Sequence, residues 1–203
     1  MGKPSRRDEM TLIPLIELEP FEKWAIDFVG PTNPPAWRSS TWYIITVTKY
    51  LTWWSKATTV KDCMEDIVAH FIFENIITRF GCLKVLMSDQ GTHFLKSIIH
   101  ALTKKFMVHH QKSTLYHPQA NGMVEAFNKF LEHALIKVCN VQYNNWDQHI
   151  PAILWAYRTI CKKLTKHTPF KLVHGKEAIM PLEYVVPSLC IAIMTNMSNI
   201  ESL

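Results

Sequence analysis

Apolar side chains recur along the chain with two different periods, and these divide it into strands and helices. Residues 24–29 (WAIDFV), 42–48 (WYIITVT) and 52–60 (TWWSKATTV) are rich in β-branched and aromatic types, which suit a pleated, half-buried surface. Gly30-Pro31 and a proline-rich loop to Ser40 close the first strand, and the short link Lys49-Tyr50-Leu51 favours antiparallel pairing of the next two. Asp62 with Glu65 three residues on reads as a helix N-cap and its capping-box partner. Met64, Ile67, Val68, Phe71, Ile72 and Ile76 then mark a helix ending near Gly81. A strand over 83–88, a helix over about 94–107 and a short strand over 108–112 follow. From Gly122, the residues Val124, Phe127, Leu131, Leu135 and Val138 recur at steps of three and four. That spacing predicts one apolar helix face, with Glu125, Asn128, Lys129 and Glu132 opposite. Asn144-Asn145 opens a further helix with Trp146, Ile150, Ile153, Leu154 and Tyr157 as its core stripe and Pro151 as a kink or restart. After Thr168-Pro169 the pattern fades. The order β-β-β-α-β-α-β-α-α predicts an α/β fold, a mixed sheet with helices on its faces.

Length and composition narrow the class. At 203 residues, 48% hydrophobic and 19% charged, the chain supports one domain with a real core. The expected divisions are a leader over 1–20, a core over 21–187 and a tail over 188–203. No run approaches 18 apolar residues, so no membrane-spanning helix is expected. The start MGKPSRRDEM lacks an apolar signal core. The net charge of +5 favours a polyanionic partner. Five scattered cysteines (63, 82, 139, 161, 190) with no CxxC read as reduced thiols of an intracellular protein without structural zinc. His109-His110, with His100 and His117 nearby, has no cysteine at finger spacing and is not read as a zinc site. Trp37, Trp42, Trp53 and Trp54 read as core and sheet-face aromatics rather than a base-stacking platform.

Three carboxylates stand out against this background. Asp27 lies inside an apolar strand, where an ionised carboxylate costs several kcal/mol unless a cation neutralises it. Asp89 ends the apolar run from Cys82 to Ser88. Glu125 sits in the first turn of the helix from Gly122, after the polar loop Tyr116-His117-Pro118-Gln119-Ala120-Asn121. Thirty-five residues separate Asp89 from Glu125. Carboxylates converging on one site repel one another unless cations intervene, and an all-oxygen site favours Mg²⁺ or Mn²⁺ over softer metals.

The triad, its spacing and the phrases SDQGTHF, YHPQANGMVEAFNK and ILWAYRT closely resemble the catalytic core of retroviral and gypsy-type LTR-retrotransposon integrases. The resemblance runs from about Phe21 to Pro187. It implies a ribonuclease H-like fold with a mixed five-stranded sheet flanked by helices. It implies Asp27, Asp89 and Glu125 as catalytic metal ligands for two Mg²⁺ or Mn²⁺ ions, in-line attack on DNA phosphodiesters, and nuclear localisation. The implied partners are element ends and target DNA, within a homo-oligomer. Tyr116, Gln119 and Asn121 match loop positions that touch the DNA end, and Thr92 a position near target DNA; each also reads as turn or cap chemistry. Lys129 is either an i,i+4 partner of Glu125 or, by the resemblance, a DNA-end contact. Asn128 either orients Glu125, as part of the DNA-contacting set, or is solvated. In the family a zinc-binding module precedes such a core and a DNA- or chromatin-binding part follows it; neither is expected within these residues. Lys49 and Lys56 stand where family members often carry acids. Two other readings remain: a ribonuclease H-like nuclease or cut-and-paste transposase, and a catalytically silent or domesticated nucleic-acid-binding or interaction module.

Overall fold

The computed structural model of the protein describes residues 22–89, 104–112, 122–139, 141 and 143–179. These fall into two compact units that divide between Leu154 and Trp155. The expected leader over 1–20, residues 94–103 of the helix expected over about 94–107, the loop over 116–121 and the tail over 188–203 lie outside the described residues.

The first unit is built on five strands: β1 (Lys23–Val29), β2 (Tyr43–Lys49), β3 (Ser55–Val60), β4 (Val85–Ser88) and β5 (His109–Lys112). Their order is β3-β2-β1-β4-β5. The meander β1–β2–β3 is antiparallel, whereas β4 pairs parallel with both β1 and β5. This is the mixed five-stranded sheet expected. Strand limits fall within a residue of the apolar pattern except at β3, which begins at Ser55 with Trp53 (φ 59) still in the turn, and at β4, which begins at Val85 rather than at residue 83. Gly30 closes β1 at φ +120, and a Cβ there would meet the carbonyl oxygen of Trp42 at 2.7 Å. Only glycine fits that approach.

The two-residue period of the strands sorts side chains onto two faces. Trp24 and Ile26 of β1 join Ile45, Val47 and Leu86 on one face, where Val68, Phe71, Ile72 and Ile76 cover them. That cover is α1 (Glu65–Ile72), continued by a π-turn (Phe73–Ile77) and a last turn, α2 (Thr78–Phe80). On the other face Ala25 and Met87 meet Val124 of α3 (Gly122–Val138), which packs across β1 and β2. The helix α4 (Trp146–Thr159) buries its five expected core residues and runs through Pro151 without a restart.

Three local expectations are corrected. The α1 N-cap is Met64, not Asp62. Asp62 instead accepts the Met64 N–H at 3.1 Å, an Asx-type turn that sets the entry to the helix without belonging to it. Val138, expected on the apolar stripe of α3, is 47% exposed because it ends the helix beyond the sheet's cover. Trp37 and Trp42 are exposed, Trp37 at 81%; the core tryptophans are Trp24 and Trp146.

Lys49 ends β2 at only 1% exposure, and burial lowers its amine from 10.5 to about 8. A base depressed in this way costs the folded state stability wherever the unfolded chain is charged, fully so below about pH 8. Lys49→Met should therefore raise the melting temperature at pH 7. It should also remove the gain in stability that the wild type shows between pH 8 and 10, as read by thermal melts across that range.

In the second unit, a short helix α5 (Pro169–His174) follows α4. Thr168 caps it by accepting the Lys171 N–H at 3.0 Å, Pro169 opens it, and Gly175 ends it at φ 74. This helix lies where the periodic pattern faded. At six residues it is too short for a period, and its signals are the cap, the proline and the glycine.

Candidate active site

The centre of β1 pairs Asp27 with Thr46 of β2. On the other side, Ala25 pairs with Met87 of the parallel strand β4. Two residues further along each strand lie Asp27 and Asp89, so the register sets the two carboxylates level, on one face and on neighbouring strands. Adjacent strands run about 4.8 Å apart. Asp89 is the first residue past β4, at a strand's C-terminal end, where open α/β sheets collect ligands.

Glu125 comes from above the same face. Val124 is fully buried against Ala25 and Met87, and Glu125, its neighbour in the first turn of α3, is exposed beside that contact. The charge of Glu125 is felt at two places in the sheet. Burial, together with Glu125, pushes the Tyr50 phenol up to about 12. Burial also raises the Asp27 carboxyl to about 6. The Phe28 N–H, donating at 2.8 Å, opposes that rise, the carboxylates of Asp89 and Glu125 add to it, and Asn128 opposes it. The charges of Asp89, at the end of β4, and of Glu125, on α3, thus both reach Asp27 on β1.

Asn128 holds the first of them. Its amide nitrogen donates to Asp27 Oδ2 at 3.0 Å, and its amide oxygen accepts from the Thr46 hydroxyl at 2.8 Å. The same hydroxyl lies 3.2 Å from the Asp27 carbonyl oxygen. Asn128 is 8% exposed, which corrects its placement on the polar face as a solvated residue or a partner of Glu125. Helical arithmetic explains the correction: at 100° per residue, Asn128 lies about 40° from Val124 and about 20° beyond Leu135, at the border of the Val124–Leu131–Leu135 stripe. A polar residue bordering an apolar stripe was the signal available. Thr46, buried in a strand of apolar neighbours, gave no such signal.

Ser88 supports the second acid. Its hydroxyl donates to the Asp89 carbonyl oxygen at 2.9 Å and meets His110 Nε2 of β5 at 2.8 Å. Lys129 is exposed one turn beyond Glu125. Thr92, Tyr116, Gln119 and Asn121 lie outside the described residues, as do His93, His100 and His117. Among the described residues no three His, Cys, Asp or Glu side chains already stand close enough to hold a metal ion. The donor set still fits a hard divalent cation, because its candidate ligands are all carboxylate oxygens and the charges of Asp89 and Glu125 lift Asp27 beyond the effect of burial.

Removing the amide of Asn128 tests its role. Asn128→Ala should cost about 1–3 kcal/mol, because Thr46 and Asp27 each lose a buried partner. It should also weaken Mn²⁺ binding by about 10–100-fold, the usual effect of losing a group that orients a ligand. Asn128→Asp, which keeps the acceptor for Thr46 but adds a fourth carboxylate, should raise the proton affinity of the cluster further.

No protein-family model matches the chain. It is 26% identical over 164 residues to the retrovirus-related Pol polyprotein from transposon 412 of Drosophila melanogaster, covering 81% of this chain and 13% of the relative. It is 28% identical over 165 residues to the Pro-Pol polyprotein of feline foamy virus, covering 80% and 14%. The Transposon Tf2-3 polyprotein of Schizosaccharomyces pombe is 27% identical over 169 residues, covering 81% and 12%. The chain therefore spans about an eighth of the length of these relatives. Among solved structures, it is similar to the catalytic core domain of BIV integrase, with a TM-score of 0.58 and 20% identity over 75% of this chain and 93% of that one. It is also similar to a simian T-cell lymphotropic virus intasome in complex with the PP2A regulatory subunit B56 gamma, with a TM-score of 0.62 and 16% identity over 80% and 57%. The fold is that of integrase catalytic cores, the ribonuclease H-like α/β fold. The relatives are Pol polyproteins of retrotransposons and retroviruses, and the chain is homologous to part of them.

Proposed function

We propose that this chain is the catalytic core of a gypsy-type LTR-retrotransposon integrase, acting in DNA integration by divalent-metal-dependent polynucleotidyl transfer. The observation that carries the reading is the crowding of Asp27, Asp89 and Glu125 onto one sheet face, with Asp27 raised to about 6. Similarity to Pol polyproteins of transposons supports it. Asp27, Asp89 and Glu125 would hold Mg²⁺ or Mn²⁺, as two ions, and when bound such ions activate the attacking oxygen and stabilise the leaving one. The chain itself supplies position. The Asn128 amide fixes one oxygen of Asp27 and the Phe28 N–H the other. Ser88 and His110 fix the backbone that carries Asp89. Lys129, with Thr92, Tyr116, Gln119 and Asn121, contacts DNA phosphates and end bases.

In end trimming, a water oxygen bonds to phosphorus and the bond to the 3′ oxygen breaks, leaving a 3′-OH on the element end. In joining, that 3′-OH attacks a target phosphorus and the target's own P–O3′ bond breaks. Each step exchanges one ester or water bond for another, so no oxidant and no covalent protein intermediate is involved. The working form is a homo-oligomer on DNA ends in the nucleus, completed by the zinc-binding and C-terminal modules of its polyprotein.

Purified chain with Mn²⁺ tests this reading on a pre-formed branched DNA resembling a strand-transfer product, where the DNA supplies the geometry. The expected result is cleavage and rejoining that EDTA stops, with little concerted insertion of two free ends, since positioning supplies much of the rate. A folded, Mn²⁺-binding chain that leaves branched DNA unchanged would hand the account to the silent or domesticated reading.

A further inference from the structure

The positive charge of this chain is not spread over it. Between Arg158 and Lys176 fall six of its 22 Lys and Arg residues and none of its 17 Asp and Glu. The remaining residues carry sixteen and seventeen, so the net charge of +5 resides in this one segment of the second unit. The segment is folded. The Lys162 N–H donates to the His167 carbonyl oxygen at 3.0 Å, and the Lys166 N–H to that of Lys162 at 2.9 Å. Lys166 takes a left-handed conformation at φ 57 to close the turn. On either side, Trp155 of α4 and Phe170 of α5 meet edge to face with centroids 5.9 Å apart. The Lys162 amine lies 3.2 Å from the centre of the Tyr157 ring, and burial lowers it to about 8.

What this turn presents outward is basic. Lys163, Lys166 and His167 are exposed on it, as is Lys176 just past α5. Among the described residues Lys163, Lys166 and Lys176 have no ion-pair partner. The nearest acid in sequence, Glu177, is engaged by Lys171 at 3.4 Å and by the Thr168 hydroxyl at 2.9 Å. Ordinary surfaces intersperse the two signs. Amines held together in one ordered turn repel each other, and a polyanion relieves that repulsion while releasing its own counterions.

We propose that this turn is a second DNA contact of the protein, made by residues other than the carboxylates, which grips the phosphate backbone of double-stranded DNA without reading its sequence. The choice of DNA over an acidic protein rests on the strand-transfer reading above. It also rests on the form of the surface: a spread of amines suits a repeating row of phosphates.

Fluorescence anisotropy of a random-sequence 30-base-pair duplex, titrated with the full chain at several salt concentrations, tests it. Each lost phosphate contact lowers the log–log salt slope by about 0.9. Lys163→Glu/Lys166→Glu should therefore lower the slope by about 2 and weaken binding at 0.1 M salt by about tenfold or more. Thermal melting of the variant should match the wild type, because both residues are exposed. If the charge reversals fail to fold, Lys163→Gln/Lys166→Gln should show the same loss of slope. An unchanged slope overturns the proposal, and so does tighter wild-type binding to polyglutamate than to duplex DNA. A lowered slope in the variant, together with a wild type inactive on branched DNA, would keep the contact and overturn the strand-transfer reading alone.

Discussion

Glu125→Gln should reduce Mn²⁺-dependent cleavage and rejoining of branched DNA to background while leaving the melting temperature within about a degree of the wild type. The structure separates these two effects. The helix that carries Glu125 is held by Val124, Phe127, Leu131 and Leu135, all buried, whereas Glu125 itself is exposed above the sheet. Glutamine keeps the shape and the helix but removes the charge that faces Asp27 and Tyr50. The Tyr50 phenol should then titrate nearer its ordinary value, a shift that ultraviolet difference titration reads without any substrate. Retained activity in Glu125→Gln would place the third carboxylate of the reaction elsewhere.

Asp27→Asn should make the metal-free protein more stable at neutral pH. The folded state holds the Asp27 proton up to about pH 6, while an unfolded aspartate releases it near its ordinary 3.8. An acid raised in this way binds its proton more tightly folded than unfolded. Stability therefore falls as pH rises from about 4 to about 6, and stays low above that. Two pH units correspond to about 2–3 kcal/mol. Asparagine carries no proton to lose, so Asp27→Asn in EDTA at pH 7.5 should melt about 4–10 °C above the wild type, and the gap should close toward pH 4. Added Mn²⁺ should reverse the order by stabilising only the wild type. Equal melting temperatures at pH 7.5 and parallel pH profiles would show that Asp27 bears no burden from burial or from its neighbours.

Much of this was legible in the sequence, for reasons that particular residues show. The strands of β1 and β2 are nearly unbroken β-branched and aromatic runs, so their existence was visible and their limits moved by a residue or so. Asp27 was visible because a carboxylate among Trp24, Ile26 and Phe28 contradicts its surroundings. The level placement of Asp27 and Asp89 was not, because register depends on the parallel pairing of β1 with β4, which no local pattern encodes. Asn128 reads as polar-face by residue type, although helical spacing puts it beside Leu135 at the border of the apolar stripe. Its partner Thr46 is separated from it by 82 residues, and only the packing of α3 across β2 joins them. The basic turn is hard to read for a different reason: its charge is evident only when the segment is counted against the rest of the chain. The short helix after it has caps but no period.

The central claim is that Asp27, Asp89 and Glu125 form one site for a divalent cation, with Asn128 holding Asp27 in place. Calorimetric titration of Mn²⁺ into the metal-free chain at pH 7.5, repeated for Asp27→Asn, Asp89→Asn and Glu125→Gln, measures it directly. Saturable binding to the wild type and a marked loss of affinity in all three variants are expected. Equal Mn²⁺ affinity in the wild type and in the Asp27 and Asp89 variants would contradict it.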